Sequence, residues 1–425
     1  MTRNAVASLG FDQDAAMVTF PIELFLADSD LGPVASAADQ FVSGLTTWQS
    51  AVTETGVKPA PALRIEAPDE SAVLRRVNDL FLAERWGDGL PLYPPTEDLV
   101  AWILTGTDFA PNHVIGRVMP RGGIATVKAV AATLAMAGGR PEYLALLIAA
   151  VEAILDPAME HEKFQANSGS PFPVVVVNGP MAETIGLNSG FGLLGPDPDH
   201  PAGASIGRAI RLILQNIGGA LPGDGTMAAY GAMRFTNAVF AEDEAGLPGG
   251  WPTLAAEIGN FGAGSNAVTV FCASGSVNIP RRAISPDVLE DEIMNGLHRT
   301  AGYLRVPGRD YVTGWANGTP GALLISRTVA GQLAGLGWTK DAVRAFLWEH
   351  SKIVADEVER TGLTEWIRSS SEAATAAAPT DPWPICRTPE QILLAVAGGA
   401  HPTNHLWFQG EAPAVVTREI RLPQN

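Results

Sequence analysis

Four consecutive valines, Val174 to Val177, constrain this chain more than any other feature. A β-branched run is stiff at χ1 and favours strands. With no polar alternation, it predicts a strand buried on both faces of a parallel or mixed sheet covered by helices. The run ends in Asn178-Gly179-Pro180, and a glycine- and asparagine-rich stretch follows towards Glu244. Glycine lets the backbone approach a ligand closely or take a positive φ. The segment Gln165–Glu244 is therefore where a site is expected.

Further short apolar runs at Thr236–Phe240, Ala267–Cys272, Gly321–Ile325, Ile392–Val396 and Val415–Leu422 read as strands. Helical spacing and caps predict helices after Asp69, after Thr96, over Thr126–Ala137, from Pro141 to Leu155 and over Ala204–Ile217. Others open at Ser285-Pro286 and at Thr339, the last continuing to Arg360. Helices alternating with buried short strands give an α/β fold of mixed sheets covered by helices. Three regions follow: an N-terminal arm over 1–66, a main domain over 67–368 that begins with a helical segment, and a C-terminal strand segment over 369–425. In the arm, MVTFPIELFL and ALRIEAP read as strands, and Ser36–Glu54 has helical spacing. No internal repeat is visible in the sequence.

The net charge of −17 opposes binding to nucleic-acid phosphates or an anionic membrane surface. No apolar run is long enough to span a bilayer, and MTRNAVASLG lacks the apolar core of a signal peptide. A cytoplasmic protein is expected. Cys272 and Cys386 make no disulfide framework, and Cys272 sits in an apolar run as a packed thiol. The apolar helices and ten tryptophans suggest a homo- or hetero-oligomer.

Gly190-Phe191-Gly192-Leu193-Leu194-Gly195 matches the dinucleotide fingerprint in letters only. Pro196, Pro198 and Pro201 prevent the helix that must follow, so no nucleotide cofactor is expected. Glu242 and His401 each follow a predicted buried strand, where open α/β sheets place ligands, and they are the expected acid/base pair of one pocket. Asn178, Asn188 and Ser189 offer amide and hydroxyl groups beside glycines, and Arg208 joins them as a substrate-binding candidate. His401 and His405 are four apart and are the candidate ligands should a divalent metal bind, although Pro402 keeps them off one helix.

Several phrases recur together: Asp88-Gly89-Leu90-Pro91 with Pro94-Pro95-Thr96, Arg140-Pro141-Glu142-Tyr143, Val176-Val177-Asn178-Gly179-Pro180, Ile206-Gly207-Arg208-Ala209, Phe240-Ala241-Glu242 and Ala397-Gly398-Gly399. The set resembles a group of bacterial proteins found with, or fused to, a UGSC (Sec-Gly-Ser-Cys) selenoprotein-like domain. The resemblance runs from about residue 70 to the C-terminus and implies a catalytic subunit beside a thiol or selenol partner. This chain has no Cys-Gly-Ser-Cys tetrad of its own.

The leading expectation is an enzyme acting on a small polar molecule by acid/base chemistry, as a lyase or hydrolase. A redox subunit that needs a thiol-bearing partner and a non-catalytic binding protein are the alternatives.

Overall fold

A computed structural model describes residues 28, 30–49, 63–223, 225–231, 238–280, 289–306, 308–316, 318–370, 381–401, 404–411 and 414–424. The fold is α/β, as the strand and helix patterns predict. A small antiparallel pair, β1 (Val114–Val118) and β2 (Gly123–Thr126), stands beside a seven-stranded mixed sheet. The large sheet contains β3 (Phe172–Asn178), β4 (Ala238–Ala241), β5 (Ala267–Pro280), β6 (Gly321–Ile325), β7 (Ile392–Val396), β8 (Asn404–Gly410) and β9 (Val416–Glu419). Its order is β4-β3-β5-β8-β6-β7, with β9 also pairing β5. The valine run is the fully buried strand β3. Among the described residues no helix is long and apolar enough to cross a membrane.

Alternate residues of each strand face different cores. One set gathers in an inner cluster with Phe172, Val174, Val176, Phe240, Phe271, Leu324, Ala395 and Phe408 from all six strands of the path. The sheet therefore curls on itself, and the ends of edge strands β4 and β7 meet where Asp243 N–H donates to Val396 O at 2.7 Å. The outward face of β3, β4 and β5 packs under the helices Val127–Met136, Pro141–Ile154 and Pro201–Leu212. The outward face of β6, β7 and Trp407 of β8 packs under the helices Leu289–Leu304, Arg327–Gly335 and Lys340–His350.

The strand pairings reveal a repetition that the sequence hides. β3 runs parallel to β4 and antiparallel to β5, and β6 runs parallel to β7 and antiparallel to β8. Val174 opposite Phe271 has its counterpart in Ala322 opposite Phe408. The bond from Glu242 N–H to Val177 O (3.0 Å) is repeated by Ala397 N–H to Ile325 O (2.9 Å). The second half of β5 pairs β8, and β9 pairs the first half of β5. A pseudo-two-fold axis thus relates two three-stranded units: Asn178 and Glu242 of the first correspond to Ser326 and Ala397 of the second, and Thr417 of β9, paired beside the first unit, corresponds to Asn278 in the second half of β5, paired beside the second.

Helix starts follow their caps. The side chains of Asp69, Thr96, Thr126, Ser326 and Thr339 each accept a first-turn N–H, and Pro141 opens its helix. Several boundaries differ from expectation. The helix predicted over Ala204–Ile217 starts at Pro201, and its end widens into a π-helical turn, Ile213–Ile217. The helix from Thr339 stops at His350, because Ile353 instead exchanges backbone hydrogen bonds with Trp383. A second helix then runs over Ala355–Arg360. β5 continues past Cys272 through a register shift between Ala273 and Gly275, a bulge where the glycine read as an end.

In the arm, two short helices, Gly32–Ser36 and Ala38–Thr46, replace the single helix expected after Ser36. Residues 63–67 form no strand; Ile65 instead packs on Val77, Phe81 and Leu92. MVTFPIELFL, Thr236 and Ser285-Pro286 lie outside the described residues. The C-terminal segment supplies β7, β8 and β9 to the main sheet.

Candidate functional site

Two groups of polar residues flank the inner core, and they differ in character. The first is a closed network at the ends of β3 and β4. Glu242, with its side chain fully buried, uses one carboxylate oxygen to accept from Asn178 Nδ2 (2.8 Å) and Leu254 N–H (2.7 Å). The other oxygen lies 3.4 Å from Lys340 Nζ and 3.5 Å from Val396 N. Asn178 also donates to Glu244 (2.9 Å) and accepts from Ala255 N–H (3.2 Å). Gly179 N–H donates to Glu244 at 2.7 Å. Gly179 must be glycine: its φ is +97°, and a Cβ would come within 2.4 Å of Ser265 O.

The network extends into the other unit. Lys340 Nζ also reaches Glu257 at 3.2 Å, and Arg344 grips Glu257 with two bonds of 2.8 Å. Lys340 and Arg344 thus offset Glu242 and Glu257, while Glu244 is a third carboxylate in the network, held by Asn178 and the Gly179 N–H. Beside them Arg327 binds Asp243 through both oxygens at 2.6 and 2.7 Å. Buried charges persist only when paired and hydrogen-bonded, and here the pairing joins the first unit to helices of the second. One oxygen of Glu242 takes two short hydrogen bonds from the protein, and the other is faced by Lys340 and the Val396 N–H at longer range.

The second group lines a cavity of about 440 Å3 at the ends of β6, β7 and the start of β8. Its walls are Phe191, Leu193, Leu194, Leu324 and Leu406, with Asn278, Ser326, His401 and His405 as its polar side chains. That volume is ordinary for a small-molecule site, and apolar walls with a few polar groups are the usual composition. The glycine loop expected to build a site forms one wall. Asn188 shapes that loop by accepting from Gly190 N–H (2.7 Å) and donating to Phe191 O (2.8 Å). Ser189 O accepts from Gly398 N–H at 2.9 Å, which ties the loop to the end of β7. Gly399 has a φ of +76°, and a Cβ there would press on Phe191.

His401 is exposed and meets the Phe191 ring edge-on, with centroids 6.4 Å apart. His405 is 1% exposed, and its Nδ1 lies 2.9 Å from Thr300 Oγ1. Thr300 Oγ1 donates to Gly296 O at 3.1 Å. A hydroxyl carries one proton. With that proton committed to Gly296, Nδ1–H donates to Thr300, and Nε2, itself buried, is the basic nitrogen. The tautomer is assigned from this hydrogen-bond network.

The expected site residues therefore fall into separate places. Asn178 and Glu242 meet in the closed network, whereas His401 and His405 share the cavity, with Asn188 and Ser189 shaping its wall. Glu242 is not among the cavity's lining residues, because its carboxylate is enclosed by Asn178, Leu254, Lys340 and Val396. Arg208 is elsewhere: it binds Asp88 with bonds of 2.7 and 2.9 Å and caps Leu90 O and Pro91 O, fixing the Asp88–Pro91 segment. Burial raises the Asp88 carboxyl, but the Arg208 hydrogen bonds and charge outweigh it and hold the group below its usual range.

Sequence reasoning missed Thr300, Asn278 and Ser326. Thr300 lies inside an amphipathic helix, Asn278 lies past the expected end of β5, and Ser326 lies just past the expected strand Gly321–Ile325, where it caps the helix Arg327–Gly335. Among the described residues no group of three or more His, Cys, Asp or Glu side chains is placed to hold a metal ion. Both cysteines are buried. No protein-family model, curated protein or solved structure matches this chain.

Proposed function

We propose that this chain is an enzyme that performs acid/base chemistry on a small molecule in the His401–His405 cavity, as a lyase or hydrolase. One observation carries the reading: a buried imidazole lines a cavity while Thr300 fixes its ring and tautomer. An oriented imidazole with a basic nitrogen is what general-base catalysis needs. His405 is the base, and exposed His401 at the mouth is the acid that returns a proton to product. Glu242, expected from the sequence to share the catalysis, instead braces the two units. Asn188 and Ser189 act through the loop they shape. For a divalent metal, His401 and His405 are the candidate ligands in this cavity.

The redox alternative needs a thiolate. Burial pushes the Cys386 thiol up, and Glu390 adds to the effect, so that chemistry would have to come from a partner.

The test compares wild type with His405→Gln in a cell extract, followed by untargeted mass spectrometry. A metabolite turned over by wild type should be consumed about 10²–10⁴-fold more slowly by His405→Gln at an unchanged melting temperature. Equal turnover by the two proteins removes His405 as the base.

A further inference from the structure

The pseudo-two-fold axis places something solid at one position and a cavity at its counterpart. In the first unit the long β4–β5 connection folds back as the helix Leu254–Gly259. Its Leu254 and Ala255 N–H groups donate to Glu242 and Asn178, its Leu254 side chain joins the inner core, and Gly259 lies against Thr417. In the second unit the counterparts of those three contacts, Ala397, Ser326 and Asn278, all line the cavity. The β7–β8 connection spans only 397–403, and its described residues, 397–401, form no helix. The cavity is thus the place that a built-in plug fills in the other half.

The chemistry of the two positions is reversed. The plug brings N–H donors, and the first unit answers with the acceptors Glu242 and Asn178. In the second unit the carboxylate becomes Ala397. Among the described residues no Asp or Glu lines the cavity, in a chain whose net charge is −17. Asn278 is exposed and lines the cavity with an amide that can donate, and exposed His401 also lines it. The walls at Leu324, Leu406, Leu193 and Leu194 are apolar where the plug inserts a leucine.

Building on the reading of this cavity as a small-molecule site, we propose that it takes a short aliphatic carboxylate. The hydrocarbon body occupies the place that Leu254 fills in the first unit. The carboxylate sits at the mouth against Asn278 and His401, and His405 faces the body of the molecule. An acidic side chain in the lining would repel this ligand, and none is present among the described lining residues.

Calorimetric titration of the full chain with 4-methylpentanoate, 4-methylpentan-1-ol and 4-methylpentylamine tests the proposal. The acid should bind at least about tenfold more tightly than the amine. Asn278→Asp is exposed and nearly isosteric, so it preserves the fold; it should weaken the acid about tenfold and strengthen the amine. Equal binding of acid and amine, or an Asn278→Asp ratio equal to wild type, overturns the carboxylate proposal while the cavity remains a small-molecule site. Failure of all three probes to bind overturns the reading of the cavity itself. His405→Gln should retain acid binding, which separates loss of the base from loss of the ligand.

Discussion

Replacing Glu242 by Gln tests whether the carboxylate is a brace rather than a catalyst. The side chain is fully buried and its four contacts are Asn178 Nδ2, Leu254 N–H, Lys340 Nζ and Val396 N–H. All four are donors. Glutamine offers one acceptor oxygen and one NH2, so whichever way the amide turns, donors face donors. Lys340, itself 2% exposed, keeps only Glu257 as a carboxylate partner. Breaking one partner of a buried ion pair costs about 3–5 kcal/mol. Unfolding entropy of about 2.1 cal/mol/K per residue over 425 residues gives roughly 0.9 kcal/mol/K. The melting temperature should therefore fall by about 3–6 °C. Urea unfolding monitored by tryptophan fluorescence should show the same loss. Lys340→Met in the Glu242→Gln background should recover part of it, since the unpaired cation is removed. A Glu242→Gln variant with the wild-type urea midpoint would refute the brace.

Two further outcomes are expected. Asp310 is 3% exposed; burial pushes its carboxyl up to about 7, Glu411 reinforces this, and the Tyr311 N–H partly opposes it. The folded state thus holds a proton that the unfolded chain releases near its ordinary value of about 3.9. The stability that this proton contributes is fully present below about pH 4 and lost as pH rises to about 7. Asp310→Asn should flatten stability across that window in urea titrations at several pH values, and an unchanged slope contradicts the assignment. Separately, Leu82, Tyr93 and Trp102 are 59%, 62% and 48% exposed on the helical segment, and exposed apolar side chains of this kind motivate the prediction of self-association. Sedimentation velocity should find a dimer or larger species at micromolar concentration, and a monomer throughout would count against it.

The parts of the fold set by local chemistry were legible. Val174–Val177 could hardly be anything but a buried strand, and Asp69, Thr96 and Thr126 marked their helices because a cap needs only its own first turn. β8 was missed because its strand character depends on neighbours β5 and β6, while Gly398, Gly399 and Pro402 before it signal a loop. The repetition was hidden because counterparts share a place in the sheet but not chemistry: Glu242 corresponds to Ala397, and Asn178 to Ser326. Glu242 stood out in the sequence as an acid after a buried strand. Its role turns on Lys340, which the fold alone brings to it. The turn of the glycine loop was legible, since Gly190 and Phe191 take it from Asn188 two and three residues away.

The central claim is that His405 is an oriented base in a ligand cavity. Nitrogen-15 NMR of the histidine rings during titration with 4-methylpentanoate tests it most directly. The account predicts that His405 starts with its proton on Nδ1, that Thr300→Val erodes this preference, and that the His401 and His405 signals move saturably as the acid binds. A ring protonated on Nε2 in the unliganded protein, or acid binding that leaves both rings unperturbed, would contradict it.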